Sequence, residues 1–160
     1  MSSRAKALAS RILQGADALA TYADQLDEDQ WATAIPVDGR SVGVVVHHVA
    51  SVYPIEVQLA QTLASGNPIT GVTWSGIADM NAQHAMDHAD VGKAETVQLL
   101  RDNAAVAAAE VGRLSDAELD TAAPVSLNGD APLTAQFFIE DHALRHSFHH
   151  LAKIRDALAS

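Results

Sequence analysis

Residues 93–114 read "KAETVQLLRDNAAVAAAEVGRL". Val97, Leu100, Ala104, Ala107, Val111 and Leu114 recur there at alternating steps of three and four, which puts one apolar stripe along an α-helix. A strand would need a period of two. A stripe rich in alanine and valine suits close packing against other helices, so the stretch predicts the seam of a helical bundle.

Working outward, three further segments share the period. The first runs from about Ser3 to Leu26, with Leu8, Ile12, Leu19, Tyr22 and Leu26 on one side, and ends in the acidic stretch DQLDEDQ. The second starts near Gly39 or Ser41 and reaches Ala64, where SGNP stops it. Pro54 lies inside this segment and predicts a kink or an irregular turn. The last begins after the Asn128-Gly129 turn, with Asp130 as N-cap and Pro132 in the first turn, and runs to Ala157 or beyond. Ser115 and Glu118 in "LSDAELD" form a capping box for one short extra turn.

The stretch GNPITGVTWSGIADMNAQHAMDHADVG between the second and third helices is too long for a tight hairpin loop. It predicts a crossover over one end of the bundle, with Ser75 to His88 as a helix of its own. The expected fold is all-α: a four-helix bundle with a long crossover between helices 2 and 3, one domain over residues 1–160.

Bulk composition narrows the function. There are no cysteines, which excludes disulfide scaffolds, thiolate metal sites and a protein-borne thiol nucleophile. With 20 acidic against 10 basic residues the net charge is -10, a field that repels phosphate backbones, so nucleic acid is not an expected partner. No apolar run is expected to span a bilayer, and MSSRAKALASRILQGADAL keeps charges inside its apolar pattern, unlike a signal peptide. No membrane partner is expected, and a cytoplasmic location is.

The eight histidines carry the chemistry. On an ideal wheel of the fourth helix, Leu133, Phe137, Leu144, Phe148, Leu151, Ile154 and Leu158 form the apolar arc, and His146 and His150 border it. His142 and His149 fall on the far side and are expected to be solvated. On the second helix Val45, Val49, Val52, Leu59 and Leu63 define the buried face; His48 points inward and His47 outward. Side chains four apart lie one above the other, so His146 and His150 can share one ion, and His48 from a neighbouring helix makes a third ligand. Three protein ligands leave positions open, as catalytic zinc sites do. An all-nitrogen set suits zinc, nickel, iron, copper or cobalt. The competing explanation is packing: any one HxxxH pair on a helix is more often a surface or core feature than a site.

"DGRSVGVVVHHVASVYPIE" (38–56), "IADMNAQHAMDH" (77–88), "KAETVQLLRDN" (93–103), "LSDAELD" (114–120) and "HALRHSFHHLAKIRDAL" (142–158) together resemble the DinB/YfiT superfamily of bacterial four-helix bundles with a metal site near one end. The resemblance covers nearly the whole chain and, motif by motif, implies His48, His146 and His150 as ligands of a divalent cation, zinc or nickel first and iron as an alternative. It departs from the pattern at Arg40, where a tryptophan is usual, and at Ala152-Lys153, where Gly-Gln often stands. The mycothiol-dependent maleylpyruvate isomerase branch typically carries glutamate where this chain has His146, so that reaction is not carried over. The resemblance implies a metal-dependent enzyme, first a low-molecular-weight-thiol S-transferase acting with a thiol such as mycothiol or bacillithiol on a small-molecule substrate. A metal-dependent hydrolase and a non-catalytic metal- or ligand-binding protein are the alternatives, and a homodimer is expected.

Around the trio, Glu56 is placed on the same side of its helix as His48 but two turns away, roughly 12 Å, and is read as a buried carboxylate or one that supports a ligand rather than as a general base. His84 and His88 form a second pair four apart without an evident third partner, and are expected to be solvated or at a pocket rim. Asn81 is a candidate for the mouth of the site, Trp74 could cap it but is first read as a packing anchor of the crossover, and Asp141 points to the surface on the wheel.

Overall fold

The computed structural model describes residues 2–159. Its long helices are α1 (Ser3–Asp24), α3 (Val42–Ala64), α5 (Lys93–Gly112) and a composite fourth, made of α7 (Ala135–Ile139), one π-helical turn (Glu140–Leu144) and α8 (Arg145–Ala159). α1 packs on α5 and α8, and α3 packs on α5, α7 and α8. The seam residues Val97, Leu100, Ala104, Ala107 and Val111 are all buried, as are Leu8, Ile12 and Leu19 of α1. Buried polar links fix the contacts between helices. The Tyr53 and Ser147 hydroxyls lie 2.6 Å apart between α3 and α8, and Asn103 Nδ2 donates to the Ala50 carbonyl at 2.8 Å between α5 and α3.

Short elements close the ends. Asp27 caps α2 (Glu28–Ala32) with a complete capping box, so the acidic stretch that ends α1 starts a new turn. Ser115 and Glu118 form the expected box on α6 (Asp116–Asp120). α4 (Trp74–Asp87) is the expected crossover helix, capped by Thr73. Pro54 sits on the exposed side of α3 and the helix continues through it.

Two expectations are corrected. The segment after Asn128-Gly129 is not helical: Ala131–Thr134 is strand β2, antiparallel to β1 (Ala122–Val125), and the helix starts only at Ala135, capped by Thr134 instead of Asp130. The two strands place Pro124 opposite Pro132. Ile69 of the crossover bonds to this hairpin through Pro124 O and Ser126 N at 2.9 and 3.0 Å, which fixes the crossover over the end of the bundle.

Second, Phe137 and Phe148 do not join the core; they are 47% and 42% exposed. Ile139, Ala143, Ser147 and Leu151, each four apart, are buried instead. On an ideal α-helix steps of four drift by about 40°, so the last would lie about 120° from the first. The wide turn at Glu140–Leu144 absorbs that drift and keeps one row of side chains facing the core.

Candidate metal centre

α3 and α8 bring His48, His146 and His150 together. Ring centroids are 5.1 Å apart for His48–His146, 5.6 Å for His48–His150 and 4.9 Å for His146–His150, and one ligand atom from each lies within 4.8 Å of the others. His48 and His150 are each 6% exposed, and His146 is half-buried.

Burial keeps two of the rings, His48 and His150, neutral. Burial, reinforced by repulsion from His146, pushes His48 down to about 3 and His150 to about 2. A neutral imidazole has a lone pair to give, which is the form a cation binds. His150 Nδ1 is buried and has no hydrogen-bond partner, the state of a ring nitrogen left free for an ion. The donor set, three imidazole nitrogens on one side, fits a borderline divalent cation with at least one open position.

Glu56 is the buried carboxylate that supports a ligand, one of the two roles its position on α3 suggested. Eight residues along α3 from His48, it meets α8: His146 Nδ1 donates to Glu56 Oε1 at 2.6 Å. That bond assigns the Nδ1 proton and turns the Nε2 lone pair outward, the usual support given to a ligating histidine. Its second oxygen, Oε2, is buried without a partner.

The trio opens into a cavity of about 820 Å³ walled by α3, the crossover, α4, the β1–β2 turn and α8. Val52, Leu59, Ile69 and Phe138 make it apolar, and Asn81, as expected, and Trp74 line it. Trp74 is largely exposed, so it stands at the mouth and does not seal it. Asp141 also reaches the cavity wall, where it pairs with Arg145 at 3.2 Å. Of the two histidines expected in solvent, His149 is exposed, whereas His142 is half-buried and stacked on Phe138 at 4.2 Å. The shift of register at the π turn put it there.

Two features lay beyond the sequence. Arg40 lines the cavity, gripped by Asp38 through Nε at 2.6 Å and Nη2 at 2.9 Å, and this bond holds the Asp38 carboxyl below its usual range. Arg40 Nη1 is buried and unpartnered. The turn that delivers the pair needs left-handed backbone at Val37 and Gly39. The other is a second group of imidazoles: His47, expected outward, lies under α4 against His84 and His88.

The sequence model of the DinB superfamily matches residues 11–154. Among solved structures the chain is similar to YfiT from Bacillus subtilis, described as a probable metal-dependent hydrolase with an unusual four-helix bundle topology. The two share 17% identity and a TM-score of 0.73, over 98% of this chain and 87% of that one. No protein of curated function matches the sequence.

Proposed function

From the premise that the chain belongs to the DinB superfamily, we propose that it is a metal-dependent enzyme that transfers a low-molecular-weight thiol to a small electrophile. The observation that carries this is the three-histidine cluster, with ligand atoms within 4.8 Å, at the wall of a cavity large enough for a small molecule. Bound there, a divalent cation, zinc or nickel first, supplies Lewis acidity that lowers the pKa of a thiol or water presented to its open side. The chain does the rest. His48, His146 and His150 hold the ion, and Glu56 Oε1 holds the proton on His146 Nδ1. Val52, Leu59, Ile69 and Phe138 exclude water. Arg40 Nη1 offers an unused donor to an anionic group, as a carboxylate-bearing thiol would present. With no cysteine in the chain, the sulfur has to arrive with the substrate.

Hydrolysis is the second reading, favoured by one specific atom: Glu56 Oε2, buried and unpaired beside the cluster, is available to accept a proton from water. The two chemistries separate in one experiment. Metal-loaded protein is incubated with several low-molecular-weight thiols against a panel of electrophiles, and in parallel with simple esters and amides, with products read by mass spectrometry. A thiol–electrophile conjugate that disappears in His150→Ala is the expected result. Thiol-independent cleavage with no conjugate would move the assignment to a hydrolase.

A further inference from the structure

His47 and His48 are consecutive on α3 and so point about 100° apart. His48 serves the trio described above; His47 turns to α4. Its Nδ1 lies 2.9 Å from His84 Nε2, and its ring stacks on His88 with 4.0 Å between centroids. His84 and His88, four apart at the C-terminal end of α4, have centroids 4.6 Å apart. One ligand atom from each of the three lies within 4.8 Å of the others, and all three rings are half-buried. A neutral imidazole has one donor and one acceptor, so three rings in contact satisfy one another only in part. Accordingly, His84 Nδ1 is buried without any hydrogen-bond partner.

We propose that His47, His84 and His88 form a second site for a divalent cation, with its own ligands but adjoining the first, since the His84 and His48 ring centroids lie 5.6 Å apart. It repeats the first in form, with two histidines four apart on one helix and a third from α3. The ligand set, three imidazole nitrogens, selects zinc, cobalt, nickel or copper over magnesium or calcium. The site also has a mechanical consequence. No residue of α4 is buried, yet Trp74, Ile77, Met80 and Asn81 on this helix wall the cavity. An ion shared between α3 and α4 fastens that wall to the bundle.

The test uses the full chain stripped with a chelator and dialysed against micromolar free zinc, or cobalt for its absorption spectrum, followed by elemental analysis of wild type, His88→Ala and His150→Ala. His88 has no ring contact with the first trio, so its removal reports the second site alone. The expected contents are two ions per chain in the wild type and one in each variant. Hydrogen exchange across residues 74–88 should slow on metal addition in wild type and His150→Ala, and stay unchanged in His88→Ala. Two ions retained in His88→Ala overturn the proposal. So does a single wild-type ion that survives this substitution, which would leave the first trio standing. A single ion lost with His88 but kept in His150→Ala supports the second site and removes the first. Circular dichroism verifies folding, and His88→Gln replaces His88→Ala if the alanine variant is unfolded.

Discussion

Glu56 fixes which nitrogen of His146 is offered to an ion, and a single atom change tests it. Glu56→Gln keeps the shape and can still accept from Nδ1, but removes the negative charge that supports the ring. Metal affinity should fall about 10–100-fold, measured by competition with a chromophoric chelator. An unchanged affinity would mean that the carboxylate does not act through His146. The other two members of the cluster make the metal-free protein sensitive to acid. His48 and His150 ionise near 6.5 when unfolded but only near 3 and 2 when folded, so between those limits the unfolded chain binds protons that the folded one refuses. Stability of the apoprotein should therefore be flat above pH 6.5 and decline as pH falls below it, by about 1.4 kcal/mol per pH unit for each group through its window. Urea melts at stepped pH read this directly. The inward positions of His48 and His150 were legible because each lies in a long helix whose apolar face orients it. That Glu56 supports His146 in particular was not, since it depends on how far along α3 the neighbouring helix crosses. His47 was misplaced for a related reason: what covers it is α4, whose docking no periodicity states.

Among the elements, the junction of α2 with α3 depends on a missing side chain. A Cβ built on Gly43 would lie 2.5 Å from the Trp31 indole nitrogen, which donates to the Val91 carbonyl at 3.0 Å. Gly43→Ala must push the buried indole off that bond, and should cost about 1–3 kcal/mol, as overpacking does. A lowered Tm with unchanged metal stoichiometry is the expected signature. The four long helices could be read from their period, but the hairpin could not. Its strands are four residues each and pair proline with proline, and proline in a strand normally argues against one. The composite helix was read as a uniform wheel, which is why Phe137 and Phe148 were assigned to the core and His142 to solvent. A π turn leaves no signature in apolar spacing, because the pattern on each side of it remains helical.

For the molecule as a whole, the first trio joins two helices that are far apart in the chain, α3 and α8. An ion that binds only the folded form then stabilises everything between them. At free ion 100 times the dissociation constant this is about 2.7 kcal/mol, which for a chain of this size corresponds to a Tm rise of about 5–10 °C. Calorimetry before and after chelation measures it, and His150→Ala should abolish most of the difference. Charge shows a contrast of scale: the chain as a whole carries -10, yet around the cavity Arg40, Arg145 and Lys153 are matched by Asp38, Glu56 and Asp141. The cavity is thus formally balanced within an acidic chain, and an anionic reactant meets less repulsion there than at the surface in general. The surplus peptide unit between 140 and 144 governs the angular phase of everything downstream. Deleting one amino acid there would let the rod wind evenly with Phe138, Ile139, His146 and His150 still on their present faces, whereas forcing an even α-helix at unchanged length would swing His146 and His150 about 100° off target. Chelation by this protein is therefore more tolerant of a one-residue shortening inside this turn than of one elsewhere in the same rod, which would rotate the two ligands away.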